Sequence, residues 1–208
     1  MDQHIVELDS LRFPVFNYRR LPKDPITPAN YFALGFGIYM IAAPMMGWID
    51  YHSPTLASAL CFGGLCEYLL GFYNWYEGRA LQCFIDFVFG LLHLTIYFTS
   101  DLGKYSIPVP YEYHTYMQGT FYSIWVALLL VLVLSMSGRG CFYILDFFLL
   151  AFGCLFALVW HFSKTTWSRK TSGYILFVAA ICLWITGLNR FTNGMLKRPV
   201  ATCVTPYP

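Results

Sequence analysis

The sequence contains few charged residues. Lys, Arg, Asp and Glu make up 12% of the 208 residues, whereas about a quarter is usual in soluble proteins. Hydrophobic residues make up 58% of the chain, and the formal net charge is only +2. No basic stripe interleaves with stacking aromatic residues, so the composition excludes a nucleic-acid partner. It indicates instead a chain whose main partner is the lipid bilayer.

Motifs for catalysis and for metal or cofactor binding are also missing. The sequence contains no G-x-S-x-G, H-E-x-x-H, P-loop or dinucleotide-binding glycine motif. It has no C-x-x-C pair, and its seven cysteines, an odd number, fall mostly in or beside apolar runs. Such cysteines usually pack as small buried hydrophobic side chains and do not form a disulfide framework. We therefore expect no enzymatic activity, no metal site and no cofactor.

Long apolar segments are what the sequence has in quantity. Six of them, each of roughly 16 to 22 residues, are long enough to cross about 30 Å of hydrocarbon as helices. They cover residues 31–46, 56–75, 80–98, 117–136, 141–162 and 173–188. Trp and Tyr residues near many of their ends are typical of membrane interfaces. The predicted fold is an all-α integral membrane protein with six transmembrane helices.

The distribution of basic residues predicts the orientation of these helices. With six crossings, both termini lie on one side, and nine basic residues fall there: Arg12, Arg19, Arg20, Lys23, Arg79, Arg139, Arg190, Lys197 and Arg198. Four fall on the opposite side: Lys104, Lys164, Arg169 and Lys170. The positive-inside rule therefore predicts that both termini are cytoplasmic.

The predicted organisation is a polar N-terminal arm over residues 1–26, a transmembrane domain over 27–189 and a C-terminal tail over 190–208. The N-terminus is acidic and polar, unlike a secretory signal or a transit peptide. Two locations therefore fit the sequence: the plasma membrane, or an organelle membrane such as the mitochondrial inner membrane.

Three ionisable residues lie within the second and third predicted helices. A carboxylate in a bilayer costs several kcal/mol unless it is paired, protonated or hydrated, so Glu67 calls for a partner. Asp86 and His93 point in the same direction but are about 10 Å apart along the helix axis, so each needs a partner on another helix or a water molecule. Two interpretations are open. Either the two residues form a proton relay, or Asp86 lies near the solvated end of its helix while His93 donates a hydrogen bond to a backbone carbonyl oxygen. Asp146, about one turn inside the fifth helix, is expected to be structural.

Glycines recur at helical spacing beside these residues. Gly63, Gly64 and Gly71 are spaced so that they share a helical face with Glu67. Gly90 lies on the face of the third helix that carries Asp86 and His93. Small residues on one face let two helices approach closely, so we predict that these glycines pack helices together.

Two segments, taken together, resemble the acetate uptake transporter family, also called the succinate-acetate permease family. The first, Thr27-Pro28-Ala29-Asn30 followed by Leu34-Gly35-Phe36-Gly37, is similar to the family's N-P-A-P-x-x-x-x-G-F-G opening. The second runs from Ala59 through Gly63-Gly64 and Glu67 to Gly71, with Gly78 and Gly90 beyond it. It is similar to F-Y-G-G-x-A-Q-x-x-A-G-x-x-E-x-x-x-G-N-x-F and a later S-Y-G.

The resemblance implies a six-helix protomer that assembles as a hexamer, with a pathway through each protomer for acetate or small dicarboxylates coupled to protons. It adds Asn30 to Glu67, Asp86 and His93 as residues of the substrate or proton pathway. It also adds Gly35 and Gly37 to the helix-packing glycines. The chain departs from the family where Glu67 replaces a Gln and where residues 84–93 lack several hydroxyl groups.

Three functions fit these observations. The first is proton-coupled uptake of acetate or a similar small carboxylate, in which Glu67 or Asp86 takes up the proton. The lost hydroxyl groups favour a second, a transport-inactive structural subunit of a larger membrane complex. Two interior acids would also suit a third, a channel or carrier for a neutral or cationic solute. A polar pathway that Glu67 or His93 faces would indicate transport. A space filled by aromatic side chains would indicate a structural subunit.

Overall fold

All the regular structure in the described part of the chain is helical. The computed structural model describes residues 27–49, 54–97, 111–135 and 141–196. These contain six helices: α1 (Thr27–Met46), α2 (Pro54–Tyr76), α3 (Ala80–Tyr97), α4 (Tyr111–Ser135), α5 (Cys141–Ser163) and α6 (Thr166–Leu196). The predicted N-terminal arm and the part of the predicted tail after residue 196 lie outside the described residues.

Among the described residues, five of these helices, all except α2, contain a segment long and apolar enough to cross a membrane. The prediction of an all-helical membrane protein is confirmed at this level. Helix α2 carries Glu67, Asn74 and three glycines in its interior. The sixth crossing and the cytoplasmic placement of both termini stay predictions.

Several helices extend beyond the apolar segments that predicted them. Helix α6 shows the largest difference, since it runs from Thr166 to Leu196 and passes through residue 190, where the sequence placed the start of the tail. Helix α4 begins at Tyr111 rather than at residue 117. Hydropathy identifies the segment that is embedded in lipid. The helix itself can be longer, because polar residues outside the bilayer also form helical backbone hydrogen bonds.

Neighbouring helices pack mainly in pairs. Helix α1 packs along α6, α2 along α3, α4 along α5 and α5 along α6, with a smaller contact between α1 and α2. A tight turn joins α2 to α3, with Gly78 at φ 72° and the Arg79 amide donating to the Asn74 carbonyl oxygen at 2.8 Å. This φ lies in the left-handed region, which glycine adopts without strain. The turn makes α2 and α3 an antiparallel hairpin.

Apolar side chains fill the centre of the bundle. Phe89 of α3 is 1% exposed, and its ring centroid lies 5.6 Å from that of Trp125 of α4 and 6.1 Å from that of Phe147 of α5. The void beside Phe89 is about 10 Å³ in volume and is lined by residues such as Leu92 and Tyr122. A void of this size holds at most about one water molecule. The space beside Phe89 is therefore too small for a solute larger than water.

The outer surface of the helices is also apolar. On α2, four large side chains that are 48–70% exposed follow a helical spacing: Phe62, Leu65, Leu69 and Phe72. Lipid solvates such a surface, whereas in water a contiguous patch of this kind is unusual. The polar residues described below therefore lie between helices rather than on their outer faces.

Helices α2 and α3 approach each other most closely at two glycines. A Cβ atom added to Gly64 would lie 3.0 Å from the Gly90 carbonyl oxygen and 2.7 Å from Cγ of Leu94. A Cβ atom added to Gly90 would lie 3.0 Å from the Gly64 carbonyl oxygen, and one added to Gly71 would meet the Phe87 ring at 3.0 Å. Each glycine therefore makes room for the facing helix.

Gly63, the other member of the glycine pair, has different surroundings from Gly64. A Cβ atom added to Gly63 would meet no heavy atom within 4 Å. Consecutive residues are about 100° apart around a helix, so Gly63 and Gly64 cannot both face α3. Among the described residues, Gly64 of the pair packs against a neighbouring helix, and the packing role of Gly63 stays a prediction.

We predict that Gly64→Ala destabilises the protein by about 1–3 kcal/mol, because the added methyl group overlaps the backbone of α3. The matched control is Gly63→Ala, which should be neutral or stabilising because Ala favours helix and the space is open. Thermal unfolding of the purified protein in detergent measures both. Equal midpoints for the two variants would contradict the close approach of α2 and α3.

Candidate functional site

Polar side chains form a column between α1, α2 and α3. Each helix contributes two positions seven residues apart: Asn30 and Gly37 on α1, Glu67 and Asn74 on α2, and Asp86 and His93 on α3. Residues seven apart lie on one face of a helix, two turns from each other. The six positions therefore form two layers about 10 Å apart, an amide layer around Asp86 and an ion-pair layer around His93. We call the two layers together the polar column.

The amide layer surrounds the carboxylate of Asp86, which is 2% exposed. Asn74 Nδ2 donates to Oδ2 at 2.7 Å, and Gln82 Nε2 donates to Oδ1 at 3.0 Å. Asn30 Nδ2, on α1, also donates to Oδ1. Hydrogen bonds to an ionised carboxylate are stronger than those between neutral groups. Three amide groups from three helices therefore hold this acid inside the bundle.

The ion-pair layer lies two turns deeper. His93 Nδ1 is 2.9 Å from Glu67 Oε2, and both side chains are at most 1% exposed. A Cβ atom added to Gly37 would overlap the His93 ring, so the ring occupies the space that a larger residue on α1 would need. The partner of His93 is thus a carboxylate on a neighbouring helix rather than a backbone carbonyl.

Several polar atoms of the column have no hydrogen-bond partner within the described residues. They are Oδ1 of Asn30, Oδ1 of Asn74, Oε1 of Glu67 and Nε2 of His93, and all are buried. A buried polar atom without a partner costs roughly 1–3 kcal/mol. The column therefore retains hydrogen-bonding capacity for water, a proton or a polar solute.

The structure brings together all four residues predicted for the pathway: Asn30, Glu67, Asp86 and His93. Sequence reasoning missed Asn74 and Gln82, although their spacing carried a signal. Gln82 precedes Asp86 by four residues, a spacing at which side chains on a helix interact. Asn74 follows Glu67 by seven residues and so shares its helical face.

Asp146 lies away from the column, between α5 and α6. It is fully buried, and Thr186 Oγ1 donates to its Oδ2 at 3.3 Å. The same pair of helices is joined where Ser172 Oγ donates to the Gly153 carbonyl oxygen at 2.7 Å. Within the described ranges, no three His, Cys, Asp or Glu side chains converge on a position that could hold a metal ion.

We predict that Glu67→Leu destabilises the protein by about 3–5 kcal/mol, because it leaves His93 buried without its partner. Glu67→Gln should cost less, because the amide oxygen still accepts a hydrogen bond from His93 Nδ1. Unfolding midpoints in detergent measure both variants. Glu77→Leu, at an exposed position in the turn after α2, is the control and should change the stability by less than about 0.5 kcal/mol. Equal stability of the Leu and Gln variants at position 67 would contradict the pairing.

Comparison with known proteins identifies the fold. No protein-family model matches the chain, and neither does any curated protein sequence. Among solved structures, the bacterial acetate channel SatP is similar, with a TM-score of 0.75. The match covers 84% of this chain and 97% of the channel at 15% sequence identity. The likeness to this fold that the two sequence segments predicted is therefore confirmed: the described helices are arranged as in a bacterial acetate channel.

Proposed function

We propose that the chain is a membrane transport protein for acetate or a similar small carboxylate, a divergent relative of the acetate channel whose fold it shares. The observation that carries this proposal is the polar column, which lies buried in a fold whose solved representative is an acetate channel. Ionisable residues inside a membrane-embedded bundle are costly and are typically functional. The cost is understandable if the column serves transport.

The column supports coupling of transport to protons. Glu67 and His93 share one short contact, and Oε1 of Glu67 and Nε2 of His93 are buried without partners in the described residues. A carboxylate and an imidazole in contact can exchange a proton between them, and the two free atoms can pass it onward. Asp86 and its amides form the next layer toward the connector between α2 and α3. We therefore assign proton exchange to Glu67 and His93.

The closed centre corresponds to a non-conducting conformation in this proposal. Phe89 and its aromatic neighbours fill the space between α3, α4 and α5, and the void of about 10 Å³ cannot hold acetate. Apolar constrictions gate other channels by excluding water. Opening requires the Phe89 ring to move away from Trp125 and Phe147.

The filled centre also favours a second candidate function, a structural membrane subunit that does not transport. Aromatic side chains occupy the place where a conducting protein needs a polar path. A cationic solute has less support, because hydrogen bonds within the protein already hold both carboxylates of the column. The homo-oligomer and the identity of the membrane stay predictions from the sequence.

We predict that purified protein in liposomes takes up radiolabelled acetate when an inward proton gradient is imposed. Glu67→Gln removes the titrating carboxylate but keeps an acceptor for His93, so gradient-driven uptake should fall to the level that the gradient-free liposomes show. The control is Glu77→Gln, which changes an exposed glutamate outside the column and should leave uptake unchanged. Uptake is measured once with the imposed proton gradient directed inward and once with it directed outward.

The possible outcomes separate the candidates. If Glu67→Gln leaves uptake unchanged, the proposed transport is supported and proton coupling at this residue is contradicted. Absence of acetate uptake by monodisperse, folded protein would contradict the proposed transport and favour the structural subunit. Uptake of an organic cation in place of acetate would favour the third function.

We predict that Phe89→Leu increases acetate entry without a gradient, because the smaller side chain opens the space between α3, α4 and α5. Phe62→Leu is the matched control, since Phe62 is 69% exposed on the outer surface of α2. Its entry rate should equal that of the unchanged protein. Entry that is the same for both variants would contradict Phe89 as the constriction.

A further inference from the structure

We infer that the amide groups of Asn30, Asn74 and Gln82 form a binding site for a small carboxylate, which the chain fills with its own Asp86 side chain. Beyond Cα, an aspartate side chain is a methylene group bearing a carboxylate, which is acetate less one hydrogen. The amide layer is therefore a carboxylate site with its occupant covalently attached. This inference names binding groups for the proposed pathway, and in that respect it rests on the proposed function.

The geometry of the donors supports a site specific for carboxylate. Both oxygens of Asp86 are bound, Oδ2 by Asn74 and Oδ1 by Asn30 and Gln82. The three donors come from three helices, so the protein backbone fixes their separation independently of Asp86 itself. A planar group with two acceptor oxygens satisfies them, whereas a cation offers no acceptor.

The unpaired amide oxygens show what this orientation of the donors costs. Oδ1 of Asn30 and Oδ1 of Asn74 are buried without a partner, while the nitrogen of each amide is turned to Asp86. The amide groups therefore leave their own oxygens unsatisfied to place donors around a carboxylate. A buried donor that loses its acceptor is penalised, so removal of Asp86 leaves three donors that a free carboxylate can satisfy.

The experiment removes the attached occupant and offers a free one. Asp86→Gly deletes the whole side chain and leaves room for formate or acetate, whereas Asp86→Ala keeps Cβ and should prefer the smaller formate. Each variant is purified in detergent with sodium formate, sodium acetate or sodium chloride at equal ionic strength. The yield of monodisperse protein and the unfolding midpoint are measured by fluorescence-detected size-exclusion chromatography.

We expect formate to raise the unfolding midpoint of both variants by at least about 2 °C over chloride, because a ligand that binds the folded state stabilises it. Acetate should act on Asp86→Gly more than on Asp86→Ala. The unchanged protein should not respond, because Asp86 fills its site. Asp86→Asn should not respond either, because its amide keeps the space occupied.

Two controls test whether the effect belongs to the amide layer. Asp146→Ala removes another buried acid, one that Thr186 contacts, and should gain nothing from formate. Adding Asn74→Leu to Asp86→Gly removes one donor and should abolish the gain. An equal gain in Asp146→Ala would overturn the inference, as would no gain in either Asp86 variant. Failure of both variants to yield monodisperse protein even with formate present would also overturn it, because the ligand should replace the lost acceptor.

The outcome is independent of transport. A carboxylate-specific gain in stability by a protein that conducts nothing would contradict the proposed function and leave this site standing. Acetate flux through the unchanged protein, together with no gain in the Asp86 variants, would contradict this site and leave the proposed function standing.

Discussion

The arrangement of the first three helices depends on how buried acids are held in a membrane-embedded bundle. Lipid offers no hydrogen bonds, so Glu67 and Asp86 must find partners within the protein. His93 and the amides of Asn30 and Asn74 come from neighbouring helices that are in register at intervals of seven residues, and Gln82 lies one turn before Asp86 on α3 itself. This register requires close backbone approach, which Gly64 and Gly90 allow between α2 and α3, and which Gly37 allows between α1 and the His93 ring.

Helix α3 connects two different environments. One of its faces carries Asp86, Gly90 and His93 toward α1 and α2, and the adjacent face carries Phe89 and Leu92 toward the centre. Helix α3 therefore contributes side chains both to the polar column and to the apolar centre around Phe89. A rotation of α3 that moves Phe89 out of the centre would strain the hydrogen bonds of Asp86 and His93. Helix α3 thus joins the residue to which proton exchange is assigned in the proposal, His93, to the residue that closes the centre, Phe89.

Much of this arrangement could be predicted from the sequence, because it follows from periodicity. The apolar segments located every described helix, and the helical spacing of Asp86 and His93 showed that they share a face and need partners elsewhere. Which helix supplies those partners is a matter of tertiary packing, which one sequence does not encode locally. Asn74 and Gln82 were missed for this reason, since polar residues near helix ends are ordinarily solvated. The length of α6 was underestimated because hydropathy measures burial in lipid rather than helix formation.

The tight turn at Gly78 has a consequence for how the protein is made. Because it joins α2 directly to α3, Glu67 and His93 belong to a single helical hairpin, as do Asn74, Gln82 and Asp86. A hairpin that enters the bilayer as one unit carries its acids already paired, so neither helix has to cross the hydrocarbon alone with an exposed carboxylate. Asn30 and Gly37 come from outside it, on α1, which precedes the hairpin in the chain. All the residues of the polar column thus lie between residues 30 and 93 of the chain.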